Sequence, residues 1–338
     1  MIIAATPLRV SLVGGGTDLP AYSDREDGAV VSIALDSYVY VIIKPMFDDH
    51  IKVRHKVVEN VRHVDELQHD IVRCCLKFHG ITSGIEVITT ADLPTEGTGL
   101  GSSSALTVGL LHGLYAYRGD AVSAERLAQE ACDVELNMVG SPIGKQDQYI
   151  AAHGGIQRFD FRRDGTVGVR PVPVPEEIKR ELGRRLLLFY TGVSRLASLI
   201  LQEQAANTDT NLEVLHRMRR RVEPVWEILT GPGNLDEVGV ILHDSWQDKC
   251  HLANGITNAK IDALYAAARS VSNRIGGKIC GAGGGGFLLL YVPPEHQAKI
   301  RSLFRDLLEA RVGFSEVGSR VVSLREAVRR SSAISDAV

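Results

Sequence analysis

Three glycine-rich stretches lie far apart in this chain: Val13-Gly14-Gly15-Gly16-Thr17-Asp18, Gly97-Thr98-Gly99-Leu100-Gly101-Ser102-Ser103-Ser104 and Gly281-Ala282-Gly283-Gly284-Gly285-Gly286. Glycine reaches backbone conformations closed to other residues, so such loops can aim several N–H groups at one point. The middle stretch runs directly into Ala105-Leu106-Thr107-Val108-Gly109-Leu110-Leu111, an apolar segment that reads as a helix. A helix start adds unpaired N–H donors and a partial positive charge, and loop and helix together make an anion site. The expected anion is a nucleotide phosphate.

Two familiar phosphate loops do not fit. A Walker loop requires Gly-Lys-Ser/Thr after its spacer, and the 97–104 stretch has no lysine. Gly281, Gly283 and Gly286 match Gly-x-Gly-x-x-Gly by letter, but Phe287-Leu288-Leu289-Leu290-Tyr291-Val292 follows, a short buried strand where a dinucleotide fold needs a helix. The third stretch therefore reads as strand–loop–strand with a close backbone approach. Ser102, Ser103 and Ser104 supply hydroxyls at a helix start, either as N-caps or as ligands to a phosphate-bound Mg²⁺.

The 338 residues are long enough for two domains, and a net charge of −3 argues against nucleic acid as a partner. Five cysteines without C-x-x-C spacing imply buried thiols in a reducing compartment, and the eleven histidines show no metal-ligand spacing. No apolar run approaches bilayer length and no signal-peptide pattern opens the chain, so a cytoplasmic protein without a membrane partner is expected.

Gly28–Lys44 is rich in β-branched residues and reads as one or two strands, Asp65–Phe78 as helix and Ile85–Ala91 as strand. Helices are expected over about 103–117 and over 123–138 with Ser123 as N-cap. Alternate prolines at 171, 173 and 175 mark a break, dividing the chain into residues 1–170 and 180–330. Arg185–Tyr190 then opens the second unit as a buried strand, with helices near 195–229, 235–250 and 257–275. A strand pair brackets the third glycine stretch, and a last helix spans about 295–310. The basic run Arg217–Arg221 has acidic neighbours and reads as a solvated helix face.

Phosphoryl transfer requires a cradled nucleotide, neutralised charge and an oriented hydroxyl. Asp147, in Gly144-Lys145-Gln146-Asp147-Gln148-Tyr149, stands at a helix start, where it could orient or deprotonate a hydroxyl, or simply favour the helix dipole. Glu135 is either a Mg²⁺ carboxylate or a surface acid. Arg9 and Asp18 flank the first glycine stretch and suit a polyhydroxylated ligand or a surface ion pair.

Taken together and in order, the stretches resemble the motifs of the GHMP small-molecule kinases. Pro7, Arg9 and Gly14 match P-x-R-x-x-x-x-G, Gly97–Ser103 match G-x-G-L-G-S-S, and 281–286 match the third glycine loop. The resemblance implies an α+β, two-domain kinase: an N-terminal unit like ribosomal protein S5 domain 2 and a ferredoxin-like C-terminal unit. It places ATP on Gly97, Gly99, Leu100, Gly101, Ser102, Ser103 and Ser104, and Mg²⁺ on Ser103 and Glu135. Asp147 becomes the catalytic aspartate, with Arg9 paired to it or to the transferred phosphoryl. Gly15, Gly16, Thr17, Asp18, Gly283 and Gly284 fall to the substrate.

Gly-Gly-Gly-Thr-Asp departs from the Gly-Glu-His-Thr-Asp of galactokinases. With Gly-Lys-Gln-Asp-Gln-Tyr and Tyr190-Thr191-Gly192-Val193-Ser194-Arg195, it is similar to the D-glycero-D-manno-heptose 7-phosphate kinases of that family. The substrate so implied is a sugar phosphate, whose phosphate needs a cation: Lys145, Arg195 or Lys249, with Lys145 favoured by its closeness to Asp147. A free hexose as substrate and a non-catalytic sugar–ATP sensor are the alternatives.

Overall fold

The computed structural model describes residues 1–193 and 197–323; Arg195 and the Arg329–Ser332 tail lie outside them. The chain begins with β1 (Ile2–Val13), α1 (Pro20–Ser23), β2 (Gly28–Pro45), β3 (Ile51–Arg54) and β4 (Val58–Val61). It continues through α2 (Asp70–Phe78), β5 (Ile85–Ala91), α3 (Ser102–Arg118), α4 (Ala124–Asp133), α5 (Gln146–His153), β6 (Ile156–Phe161) and β7 (Val167–Pro171). The expected break at Pro171 is followed by α6 (Glu176–Arg185), β8 (Leu186–Tyr190), α7 (Ala197–Ala206), α8 (Leu212–Arg220), α9 (Val222–Thr230), α10 (Asp236–Cys250) and α11 (Ala259–Arg269). The last elements are β9 (Gly276–Ile279), β10 (Phe287–Tyr291), α12 (Pro294–Leu303), β11 (Leu308–Ala310) and β12 (Arg320–Ser323).

Gly28–Lys44 forms one strand, not two. β2 is long enough to serve two partners: its second half pairs with β5 and its first half with β6. The larger sheet runs β12-β1-β2-β5-β3-β4, with β6 and β7 attached through β2, and only β3–β5 is parallel among its described pairings. The smaller sheet runs β11-β8-β10-β9, all antiparallel. Its β-α-β-β-α-β sequence of elements in that spatial order is the ferredoxin-like arrangement, so the chain is α+β as expected.

The two sheets share hydrophobic contacts. Leu289 and Tyr291 of β10 join the main core with Val225 and Leu229 of α9, whereas Leu288 and Leu290 face a second cluster with α11 and α12. Burial on both faces is why Phe287–Tyr291 reads as an unbroken apolar run. Near the chain's end, β12 pairs antiparallel with β1, returning the second half of the sequence to the first sheet.

Differences from expectation have local causes. The helix expected over 295–310 stops at Leu303, because Leu308–Ala310 is recruited as an edge strand on β8. The basic run is only partly a solvated face: Met218 is buried, and Arg217 and Arg221 both donate to Asp248 of α10, fastening α8 and α9 to it. Ser123 does cap α4, its hydroxyl accepting from the Arg126 amide at 3.2 Å. Ser123→Ala should therefore cost about 1 kcal/mol in chemical denaturation. No helix among the described residues is long and apolar enough to cross a membrane, and four of the five cysteines are buried.

Candidate active site

The three glycine stretches converge on one cavity of about 230 Å³ between the two sheets. Its wall comes from the end of β1, the loop before α3, the start of α5, and the β9–β10 loop. Loops two and three meet backbone to backbone. Gly99 has φ +77° and Gly281 has φ +65°; a Cβ on Gly99 would overlap the Cys280 carbonyl oxygen, and one on Gly281 would lie 2.6 Å from Gly99 Cα. The Phe287 amide donates to the Thr98 carbonyl at 3.1 Å, tying the second loop to β10. The third loop thus buttresses the second.

Gly101, in the left-handed region, opens α3, and no side chain caps that helix. The N-cap reading of the serines therefore fails. Ser102 donates to the Thr95 carbonyl at 2.5 Å and Ser103 to Glu135 Oε1 at 2.6 Å, leaving the first N–H groups of α3 for an incoming anion.

Glu135 is not a surface acid. It is fully buried in a π-helical turn (Val134–Met138) continuing α4, and Gln148 donates to its Oε2 at 2.6 Å. Burial pushes its pKa up against hydrogen bonds from Ser103, Ser104 and Gln148. Among the described residues no cluster of three His, Cys, Asp or Glu forms a metal cage. A Mg²⁺ needs none, since one carboxylate, a hydroxyl and nucleotide phosphates are sufficient partners. The Ser103–Glu135 pair fits that requirement.

Arg9 is buried on β1 and grips Asp147 with two prongs: Nε donates to Oδ1 at 2.7 Å and Nη2 to Oδ2. Its Nη1 donates to the Gly99 carbonyl at 2.5 Å, so one guanidinium links β1, the second loop and α5. Burial opposes the guanidinium charge, but Asp147 overrides it and the Arg9 pKa rises. Asp147 sits in the first turn of α5 and opens on the cavity.

Asp18 is 3 % exposed and held by the Gly16 amide at 3.0 Å. Burial, reinforced by Asp147, pushes its carboxyl upward. Gly144 has to be glycine here, because a Cβ would overlap Asp18 Oδ2. Gly15 and Gly16 line the cavity. Thr17 does not: it is wholly buried, its hydroxyl 2.8 Å from the Gly14 carbonyl and 3.0 Å from that of Ala29, stapling the loop to β2.

Other expected ligands fall elsewhere. Lys145 donates to the Gly165 carbonyl at 3.0 Å in the β6–β7 turn and lines a separate hollow beside Leu19 and Ser141. Gly283 and Gly284 pack on the Ile256 backbone, the Gly284 amide donating to its carbonyl at 2.7 Å. Of the expected cations Lys249 does reach the cavity, joined there by Lys278, Gln146 and Gln204. Gln204 is buried and its Nε2 has no partner, a donor aimed at the first loop. No spacing in the sequence marks Lys278 or Gln204, which reach the cavity only through tertiary packing.

A second hollow, lined by His55, Lys56, His69, Thr90 and Glu96, shares Thr95, Ser102 and Ser103 with the first. The start of α3 is the ridge between them.

Comparison with known proteins agrees with this geometry. Residues 66–155 match the GHMP kinases N terminal domain and residues 225–309 the GHMP kinases C terminal domain. The chain is 27% identical over 314 residues to a D-glycero-alpha-D-manno-heptose 7-phosphate kinase of Campylobacter jejuni, covering 89% of this chain and 92% of that one. It is 27% identical over 336 residues to an L-fucokinase/L-fucose-1-P guanylyltransferase of Bacteroides fragilis, covering 88% of this chain but 35% of that longer protein. A D-glycero-D-manno-heptose 1-phosphate kinase from Bacteriodes thetaiotaomicron has a similar fold, with TM-score 0.80 and 22% identity, covering 96% of this chain and 99% of that one. With both family domains matched, one on each side of the cavity, the chain belongs to the GHMP kinases and is an ATP-dependent kinase.

Proposed function

We propose that the protein phosphorylates the anomeric hydroxyl of a sugar phosphate, D-glycero-D-manno-heptose 7-phosphate or a close relative, with ATP and Mg²⁺. The observation that carries this reading is the meeting of the Arg9–Asp147 pair and Ser103 on one cavity at the start of α3, with Glu135 buried directly behind Ser103. In this reading the nucleotide base occupies the hollow around His55 and His69, and the triphosphate crosses the ridge at Ser102 and Ser103. The sugar lies beyond the ridge against Gly15, Gly16 and Asp18, with Gln204 as a further hydroxyl partner.

Asp147 orients the acceptor hydroxyl and takes its proton as the new O–P bond forms and the bond to the leaving nucleotide breaks. Arg9 fixes the carboxylate's direction. Ser103 and Glu135 would hold Mg²⁺, which neutralises phosphate charge when bound. The 27% identity to a heptose 7-phosphate kinase favours the phosphorylated heptose, and the fucokinase likeness favours a free hexose as the second reading. ATP consumption on heptose 7-phosphate, free heptose, mannose 6-phosphate, galactose and fucose decides between them. Fastest turnover on the heptose phosphate is expected, and a preference for a free hexose would sink the substrate assignment.

Glu135→Gln separates stability from function. A carboxyl whose folded pKa is raised contributes stability below its unfolded pKa, and loses it as pH rises through the folded value. At pH 7 the ligand-free variant should therefore melt no lower than wild type, while Mg²⁺-dependent ATP turnover collapses. A lower melting temperature with turnover intact would make Glu135 a structural residue.

A further inference from the structure

Lys249 and Lys278 are both buried in the wall of the cavity, and neither forms a salt bridge with a carboxylate among the described residues. Asp248, the acid next to Lys249, is occupied by Arg217 and Arg221. The Lys249 ammonium donates to the Gly281 carbonyl, and Lys278 donates to the Ser11 carbonyl at 2.9 Å and the Ser11 hydroxyl at 3.0 Å. Carbonyl and hydroxyl oxygens hold an ammonium in place but do not balance its charge, and an unbalanced buried charge is costly. Resting on the sugar-kinase reading of this cavity, we propose that Lys249 and Lys278 form a phosphate-recognition pair that receives a phosphate already carried by the acceptor.

Position favours the acceptor over the nucleotide. Lys278 is anchored on β1 at Ser11 and lies against Gly15 of the first loop, on the side of the cavity away from the His55 hollow. The nucleotide side has its own anion ligands in the start of α3 and its own cation site at Ser103 and Glu135. Asp147 and Asp18 act on both Arg9 and Lys278, two carboxylates against the three cations Arg9, Lys249 and Lys278.

Burial lowers the Lys278 pKa to about 8, and burial together with Lys278 lowers that of Lys249 to about 7. A docked phosphate dianion would raise both, so binding near pH 8 takes up protons and weakens as pH rises through 7 to 9. Arg9, Asp18, Asp147 and Cys280 are the other charged or titratable groups facing the pair, with Cys250 beside Lys249.

Calorimetry at pH 8 in two buffers of different ionisation enthalpy tests the pair on the full chain. The probes are heptose 7-phosphate, free heptose and a non-hydrolysable ATP analogue. Expected results are proton uptake by wild type with the sugar phosphate, and an affinity loss of about 10- to 100-fold in Lys278→Met and Lys249→Met. In Lys278→Met, free heptose and the ATP analogue should change by less than twofold, and Lys278→Arg should recover most of the loss. A loss confined to the ATP analogue would overturn the acceptor assignment and leave phosphate recognition standing with the nucleotide as its source. No loss for either ligand, or sugar-phosphate binding by wild type without proton uptake, overturns the pair. If wild type binds no sugar phosphate but the lysine variants still lose the ATP analogue, the substrate reading fails and the cation pair survives. The wild-type proton count needs no variant, so it stands even if a methionine substitution does not fold.

Discussion

Asp147→Asn should bind ATP within a fewfold of wild type and turn over about 10²- to 10⁴-fold more slowly. The substitution preserves shape and removes charge. One amide oxygen can still accept from Arg9 Nε, but the amide nitrogen must then face Nη2, a donor against a donor. Arg9, 5 % exposed, is left with its nearest counter-ion gone. Removing one partner of a buried pair costs about 3–5 kcal/mol, and the partial exposure of Asp147 places this pair toward the lower end or below it. Denaturation should therefore show reduced stability alongside the loss of turnover. Replacing both residues, as Arg9→Met with Asp147→Asn, should recover part of the stability and none of the activity, because the uncompensated charge is gone while the acceptor still lacks its carboxylate. A kcat within threefold of wild type for Asp147→Asn would remove Asp147 from the chemistry.

That pair shows what a sequence can convey. Arg9 and Asp147 each stand in a local pattern, one beside a glycine loop and one at a helix start, so both could be nominated without coordinates. The pairing itself spans 138 positions and depends on β1, the second loop and α5 meeting at one guanidinium. Glu135 was legible as a candidate and ambiguous in kind, since nothing local distinguishes an exposed acid from one sealed beneath Ser103 and Gln148. Lys278 carried no local signal at all: it sits in a short strand, Gly276–Ile279, and becomes notable only because its ammonium reaches Ser11 of β1.

Elements with strong periodicity or unbroken apolarity, such as β5, β8 and β10, fall where pattern places them. Leu308–Ala310 does not. Its residues favour helix, but the open edge of β8 offers backbone partners that local propensity cannot anticipate. Lys145 misleads for a related reason. Lying two positions before Asp147 suggested a shared site, yet at the start of α5 its side chain leaves toward the Gly165 turn. Residues two apart on a helix diverge by roughly 200°, so closeness in sequence does not bring both into the cavity.

Gly99→Ala should damage both the fold and the turnover. Two effects combine, and a control separates them. The positive φ of +77° alone disfavours any side chain, at about 1–2 kcal/mol. Gly80, with φ +67° and open space around its would-be Cβ, pays that cost and nothing else, so Gly80→Ala should lower stability modestly and leave turnover unchanged. At Gly99 the new methyl also meets the Cys280 carbonyl, which cannot retreat. The Cys280 amide donates to Phe287 at 2.9 Å within the β9–β10 hairpin, and Lys249 holds the adjacent Gly281 carbonyl. The second loop must move instead, carrying with it the carbonyl that receives Arg9 Nη1 and the serines that open α3. A displacement of about 1 Å at reacting groups costs on the order of 100-fold in rate. The variant should therefore lose ATP affinity and turnover together, and melt below Gly80→Ala. If the two glycine variants behave alike, the contact between the second and third loops does not set the catalytic geometry, and the third loop's part in the site would have to be sought in direct ligand contact.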